Sequence, residues 1–185
     1  YVGTSKISEF HIPALRKAGF KISSVSSRKN SINISTFAKK LNIQNIIYDW
    51  KDLLKNTNEY DAIMIAIDTK ATVGVLEKII KTKKPIMVEK PIALKSNTIS
   101  RLLIKDPKNI FVAYNRRQYH STQFAKKFID LKPHVHANVF LPEVNHNNLY
   151  QNGCHVIDLM NYLFKNIYLK YNVPIIFGKK LFGFT

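Results

Sequence analysis

The sequence predicts an α/β fold built on a doubly wound parallel sheet, followed by a second, shortened α/β domain. Three observations carry that prediction. From residue 21 to residue 115, short apolar runs alternate with segments of helical periodicity. This is the pattern of strand–helix–strand units that pair in parallel and carry helices on both faces of the sheet. Gly3 stands at the expected junction of a first strand and a first helix. Glu89 and Lys90 follow Ile86, Met87 and Val88 with no spacer, and Pro91 closes the run. Charges beside a buried strand are costly unless paired or solvated, so their place needs a reason.

The chain opens at "YVG". The apolar run ahead of Gly3 is shorter than the about five or six residues of an ordinary strand, so the numbering is expected to begin inside the first strand. "SEFHIPALRKAG" (8–19) places Phe10, Ala14, Leu15 and Ala18 on one helical stripe and stops at Gly19. "KISSVSS" (21–27) and "NIIY" (45–48) read as strands, and "DWKDLLK" (49–55) as a helix with Asp49 as its N-cap. "DAIMIAI" (61–67) and "PIMVEK" (85–90) are nearly continuously apolar, as in strands covered on both faces. "ATVGVLEKIIKTKK" (71–84) sets Val75, Ile79 and Ile80 on one face and ends in lysines, where the helix dipole favours cations. "SNTISRLLIK" (96–105) is a further helix and "NIFVAYN" (109–115) a further strand. Near 118–120 the rhythm changes, which predicts one domain over 1–118 and a partial one over 119–185. In the latter, "STQFAKKFIDL" (121–131) and "YQNGCHVIDLMNYLFK" (150–165) read as helices. "HVHANVFLP" (134–142) and "YLKYNVPIIFG" (168–178) read as strands.

Composition narrows the function classes. Hydrophobic residues make up 45% of the 185, which suits a globular protein and not a disordered one. No apolar run approaches the length of a bilayer span, and the opening lacks the segments of a signal peptide. A single cysteine, Cys154, permits no intramolecular disulfide, so a cytoplasmic location is expected. The formal net charge is +17, from 29 Lys+Arg against 12 Asp+Glu. Such a charge points to an anionic partner: nucleic acid, a membrane surface or a phosphorylated ligand. Yet the lysines come in short scattered pairs such as Lys39 and Lys40, Lys83 and Lys84, Lys126 and Lys127. There is no basic tail and no basic run interleaved with aromatics, so neither specific nucleic-acid binding nor membrane binding is expected. His134, His136 and His146 lack a ligand spacing, and no metal site is expected.

Four short stretches carry the candidate chemistry. A dinucleotide turn reads G-x-G-x-x-G/A, for a tight bend, close approach to the pyrophosphate and close helix packing. Here those positions are Gly3, Ser5 and Ser8. An ordinary strand–helix turn fits as well; as a cofactor turn it comprises Gly3, Thr4, Ser5, Lys6 and Ile7. The second strand ends in "SSRKN" with no acid to take ribose hydroxyls. Ser27 and Arg28 suit the 2′-phosphate of NADP rather than NAD, and a solvated basic turn is the equal alternative. Lys90, at the carboxyl end of a strand, falls where open parallel sheets bind ligands. A shielded lysine there can hold a substrate hydroxyl or lower its pKa, although a strand end meeting water is the commoner fate. In "QNGCHVIDLMNYLF", Gln151, His155, Asp158 and Tyr162 share one polar helical face, opposite Val156, Met160, Leu163 and Phe164. A histidine with an acid one turn on suits a general base and its orienting carboxylate; a solvated amphipathic face is the alternative.

In order and spacing these stretches resemble the glucose–fructose oxidoreductase / inositol dehydrogenase family (Gfo/Idh/MocA). The resemblance runs from Gly3 to about Phe164, on "GTSKISEFHIPAL", "VEKPIAL", "YNRR" (114–117) and "GCHVIDLMNYLF". It implies an N-terminal Rossmann domain binding NADP or NAD, and a C-terminal domain whose open sheet supports the substrate site and an oligomer contact. The implied partner is a small-molecule sugar, sugar nucleotide or polyol, with a homo-oligomer in prospect. The family's central lysine falls on Lys90, near the nicotinamide and the reacting hydroxyl, with Glu89 beside it. The catalytic histidine falls on His155 and the acid of "HxxD" on Asp158, a supporting residue. Glu89, Asn115 and Arg116 join the implied cofactor contacts.

The sequence also departs from the family. Gln151 stands where Asp is frequent and cannot act as a base, though some sugar-nucleotide branches carry an amide there. Ile67 and Asp68 replace a common Thr-Pro, setting a carboxylate near the expected phosphates. Only the first glycine of the fingerprint remains. The C-terminal sheet needs several more strands than the two segments after residue 133 supply. These departures keep open a decayed, dinucleotide-binding or partner-binding relative; the charge keeps open a basic nucleic-acid-binding protein.

Overall fold

Every apolar run of the first 113 residues becomes a short strand: β1 (Ser24–Ser26), β2 (Asn45–Ile47), β3 (Ile63–Ile65), β4 (Ile86–Val88) and β5 (Ile110–Val112). The structure, a computed structural model, describes residues 1–103, 108–132, 134–137, 139 and 146–165. It divides into two compact units, Tyr1–Ala113 and a second beginning at Tyr114.

In the first unit β1 pairs with β2, and β3, β4 and β5 pair in that order, all parallel. Val2 joins the two sets through parallel bridges to Ser26 and Ile65. Its N–H donates to Met64 O at 2.7 Å and its carbonyl accepts from Ala66 N at 2.8 Å. Counting Val2 as the first strand, the sheet runs third–second–first–fourth–fifth–sixth, the order of the doubly wound dinucleotide fold. The connections part in opposite directions at Val2, so the crevice of this fold opens at the carboxyl end of that residue.

Residues along β3 alternate between two cores, as a period of two requires. Ile63 and Ile65 join Val75, Leu76 and Ile79 of α3 (Thr69–Ile79) and Leu102 of α4 (Ser96–Leu103) on one face. Met64 and Ala66 join Ile12 of α1 (Ser8–Lys17) and Ile34, Phe37 and Ala38 of α2 (Ile34–Lys40) on the other. The expected inner face of α3 is the observed one. That of α1 holds only at Leu15: Phe10, Ala14 and Ala18 are exposed, and Ser8 and Ile12 turn inward instead. No expectation covered α2, although Ile34, Phe37, Ala38 and Leu41 recur at helical spacing. Trp50–Lys55 form a 3₁₀ helix, capped by Asp49 accepting from Lys51 N at 3.1 Å. Gly19, at φ +90°, ends α1 with Phe20 N bonding back to Leu15 O and Gly19 N to Arg16 O, as a left-handed stop does.

The expectation that the strands are covered on both faces fails at one edge. Met87 and Phe111 are cross-strand partners, 41% and 54% exposed. The helices of this unit's described residues cover the opposite face of β4 and β5, so an apolar run alone does not imply two covers.

The second unit holds α5 (His120–Asp130) and α6 (His146–Phe164), preceded by a 3₁₀ turn at Asn115–Gln118. Residues 134–137 and 139, within the expected strand 134–142, are in no strand; alternation sets faces but supplies no pairing partner. The expected strand 168–178 lies outside the described residues. No helix among the described residues is long and apolar enough to cross a membrane.

Candidate functional site

Because the strands are parallel, the residues after Val2, β1, β3 and β4 share one edge of the sheet. Gly3, Ser27, Ala66 and Glu89 open those four loops. Gly3 sits at φ +121°, and a Cβ there would lie 2.0 Å from Ala66 O. The first glycine of the turn is therefore demanded twice, by its left-handed backbone and by contact with the fourth strand. Beyond it the backbone N–H groups of Thr4, Ser5, Lys6 and Ile7 make no hydrogen bond among the described residues. Ile7 leads into α1 without a side-chain cap. An uncapped helix N-terminus with unspent N–H groups fits a pyrophosphate, so the turn suits the dinucleotide that the fold implies.

The two serines of the turn are engaged inside the protein. Ser5 Oγ donates to Ala66 O at 3.1 Å and lies 3.1 Å from Ser8 Oγ. A hydroxyl has one proton, so Ser5 spends its own on the fold and the main chain is left to meet a phosphate. At the next loop Ser27 Oγ donates to Arg28 O at 3.1 Å, and Arg28 is exposed, with no acidic partner among the described residues. Asp68, the unexpected carboxylate, caps α3: Oδ1 accepts from Lys70 N at 2.8 Å.

After β4, Glu89 N donates to Ile65 O at 2.8 Å, and the Lys90–Pro91 bond is cis. Both oxygens of Glu89 are occupied. Oε2 accepts from Lys90 N at 3.0 Å, and Oε1 lies 3.1 Å from His11 Nε2. On its other side His11 Nδ1 lies 3.1 Å from the Tyr1 phenol. Burial pushes that phenol well above its ordinary pKa. Tyr1 and His11 were not expected at a site. The signal lay in helical spacing, since Ser8, His11 and Ile12 follow one another on one side of α1.

In the second unit the middle of the polar face of α6 turns inward. His155 and Asp158 are 8% and 7% exposed, whereas Ile157 is 62% exposed. Asp158 meets Arg117 with both oxygens, Oδ2 accepting from Nε at 2.8 Å and Oδ1 from Nη2. The guanidinium carbon stands 5.8 Å from the Tyr114 ring centre and 5.6 Å from that of Tyr162, within range of cation–π attraction. Tyr162 donates to Gln123 Oε1, and Gln123 Nε2 to Arg117 O. Tyr114 meets His155 edge to face at 6.1 Å. Burial, with Cys154 and Asp158 nearby, pushes the Tyr114 phenol up to about 12. Asp158 thus holds Arg117, so its carboxylate is committed to an ion pair in a cage of tyrosines. Gln151 is exposed on the same helix. Asn115 and Arg116 lie in the preceding 3₁₀ turn, where Arg116 O accepts from Tyr119 N. Among the described residues no three His, Cys, Asp or Glu side chains gather as a metal site would require.

Residues 1–114 match the model of the oxidoreductase family with an NAD-binding Rossmann fold, GFO_IDH_MocA. The chain belongs to the Gfo/Idh/MocA family. Among solved structures it is similar to myo-inositol dehydrogenase of Lactobacillus casei, in complex with NAD(H) and myo-inositol. That match has a TM-score of 0.73 at 22% identity and covers 88% of this chain and 52% of that one. A probable dehydrogenase of Thermotoga maritima gives 0.72 at 20%, covering 88% and 53%. The WlbA dehydrogenase of Bordetella pertussis, in complex with NADH and UDP-GlcNAcA, gives 0.71 at 18%, covering 88% and 57%. A comparison with curated proteins finds no match. The chain spans about half the length of the solved structures it matches. Family membership gives the chain the NAD-binding Rossmann fold of that oxidoreductase family, with dehydrogenases as its structural neighbours.

Proposed function

We propose that this Gfo/Idh/MocA member transfers hydride between a nicotinamide cofactor and a hydroxyl carbon of a sugar, sugar nucleotide or polyol. The observation that carries the reading is the shared sheet edge, with the Gly3 turn at the switch point and Lys90 at the end of β4. The solved neighbours bound to myo-inositol and to UDP-GlcNAcA support the substrate class.

In this reading the N–H groups of Thr4 to Ile7 hold the pyrophosphate at the N-terminus of α1. Arg28, with Ser27 beside it, favours NADP over NAD by meeting a 2′-phosphate. The bound nicotinamide supplies the hydride acceptor or donor. Lys90 Nζ holds the substrate hydroxyl and stabilises the oxygen as its proton leaves. The family resemblance gives proton transfer to His155, and Asp158 acts at one remove by fixing Arg117 beside Tyr114, the ring that meets His155. Gln151, an amide, contributes hydrogen bonding and no proton transfer. The active oxidoreductase is expected in the cytoplasm.

A second reading, a relative that binds dinucleotide without turnover, is favoured by the exposed Gln151. Titration with NADPH and NADH, followed by a sugar and polyol panel, separates the two. Catalysis predicts saturable binding, tighter for NADPH, and turnover that Lys90→Ala abolishes while the circular dichroism spectrum stays unchanged. Binding without any turnover selects the second reading. Turnover unaffected by Lys90→Ala would remove the lysine from the chemistry.

A further inference from the structure

We propose that Ser5 is a positioning residue of the cofactor turn: its hydroxyl pins the turn to the end of the fourth strand, and Ser8 fixes the direction in which that hydroxyl points. The proposal rests on the reading of this turn as the seat of a dinucleotide pyrophosphate. Ala66 directly follows β3 and is 1% exposed. Its N–H donates to Val2 O at 2.8 Å, while its carbonyl oxygen lies against Gly3, 2.0 Å from where a Cβ would stand. A buried carbonyl needs a donor. Ser5 Oγ supplies one at 3.1 Å.

Ser5 itself is exposed, so its hydroxyl has water as a competing partner. Ser8 settles the competition. Ser8 N donates to Ser5 O at 2.9 Å, and the two Oγ atoms lie 3.1 Å apart. A hydroxyl has one proton, and Ala66 O takes that of Ser5, so Ser8 Oγ is the donor to Ser5 Oγ. Ser8 is 0% exposed and has no water to turn to. Of the three staggered wells open to Ser5, these bonds select the one that reaches Ala66. The N–H groups of Thr4 to Ile7 are thereby held in place before a ligand arrives, and a preorganised site loses less freedom on binding. A glycine at position 5, as in the fingerprint, has no hydroxyl to give and a freer backbone. Restoring that glycine is therefore expected to weaken the site, not to repair it.

The test is calorimetric titration of the full chain with NADH and NADPH, beside urea unfolding and ¹⁵N relaxation of the ligand-free variants. Ser5→Gly and Ser5→Ala are each expected to bind both dinucleotides about fivefold more weakly, the scale of one lost hydrogen bond. Ser5→Thr keeps the hydroxyl and is expected to bind as the wild type does. Ser8→Ala is expected to weaken binding as well, and to add nothing in combination with Ser5→Ala, because both act through one row of bonds. In Ser5→Ala the amides of Thr4 to Ile7 gain mobility before any ligand is added. A serine that only stabilised the fold would lower the unfolding midpoint and leave affinity and amide mobility unchanged. Equal or tighter binding by Ser5→Gly or Ser5→Ala would overturn the proposal and leave the dinucleotide reading standing. A wild type that binds neither dinucleotide would instead remove that reading, and the role of Ser5 with it.

Discussion

At Gly3 the backbone leaves one choice of residue. Its φ of +121° lies in the range that side chains avoid, and the space a Cβ needs is held by Ala66 O at 2.0 Å. The obstacle is backbone, and the same Ala66 donates to Val2 O at 2.8 Å, so relief means pulling the first strand off the fourth. Strain of about 1–3 kcal/mol from the dihedral and a similar amount from overpacking add up at one position. Gly3→Ala is therefore expected to lower the unfolding free energy by roughly 3 kcal/mol or more, a large share of the ordinary 5–15. Cofactor binding should be lost with it. Urea unfolding checks the first effect and dinucleotide titration the second. An unchanged unfolding midpoint would mean that the turn has room to relax. Ser5 and Ser8 carry no such constraint, which is why they can depart from glycine and still serve the turn.

Helix α3 shows how one departure from a family pattern can be a local device. Asp68 caps it, accepting from Lys70 N, and puts a negative charge where the helix dipole favours one. Asp68→Ala is expected to cost about 1 kcal/mol of stability, whereas Asp68→Asn keeps the accepting oxygen and costs a few tenths. Removing the charge from the ligand edge should also tighten dinucleotide binding about threefold, the scale of an exposed charge interaction. Thermal unfolding with dinucleotide titration checks both, and weaker binding by Asp68→Asn would show that the carboxylate aids the ligand. Strands β2 to β5 of the first unit and α3 were legible in the sequence because apolar residues decide most of their packing. Helices α1 and α6 were legible as helices but not in their orientation. On α1, Ser8 and His11 face inward beside Ile12; on α6, His155 and Asp158 do. Hydrophobic periodicity assigns such residues to water, yet partners distant in sequence satisfy them inside: Glu89 for His11, Arg117 for Asp158. Spacing holds no trace of those pairings. The places where the amphipathic rule fails are the places that carry the candidate chemistry.

Over the whole molecule the charge of +17 sets a field that attracts any anion, and its consequences must be separated from those of the site. The separation lies in salt dependence. A duplex that neutralises 6–10 phosphates releases that many counterions and loses roughly 10³–10⁵ in affinity between 50 and 200 mM salt. A nicotinamide dinucleotide presents only its pyrophosphate and, in NADP, one further phosphate. Its hold on the Gly3 turn depends on oriented N–H groups, which salt screens less than exposed lysines. NADPH affinity is therefore expected to fall less than about tenfold over the same range, and NADH affinity less again because it has no phosphate for Arg28. The scattered lysine pairs present no continuous track along a duplex, so oligonucleotide binding should be weak at 200 mM and indifferent to sequence. Fluorescence titration of both nucleotides and of a labelled duplex at 50, 100 and 200 mM salt checks the three slopes together. Tight, sequence-dependent duplex binding that persists at 200 mM would show that the charge serves a nucleic-acid surface. A steep duplex slope beside a shallow dinucleotide slope would assign the charge to composition and the recognition to the sheet edge.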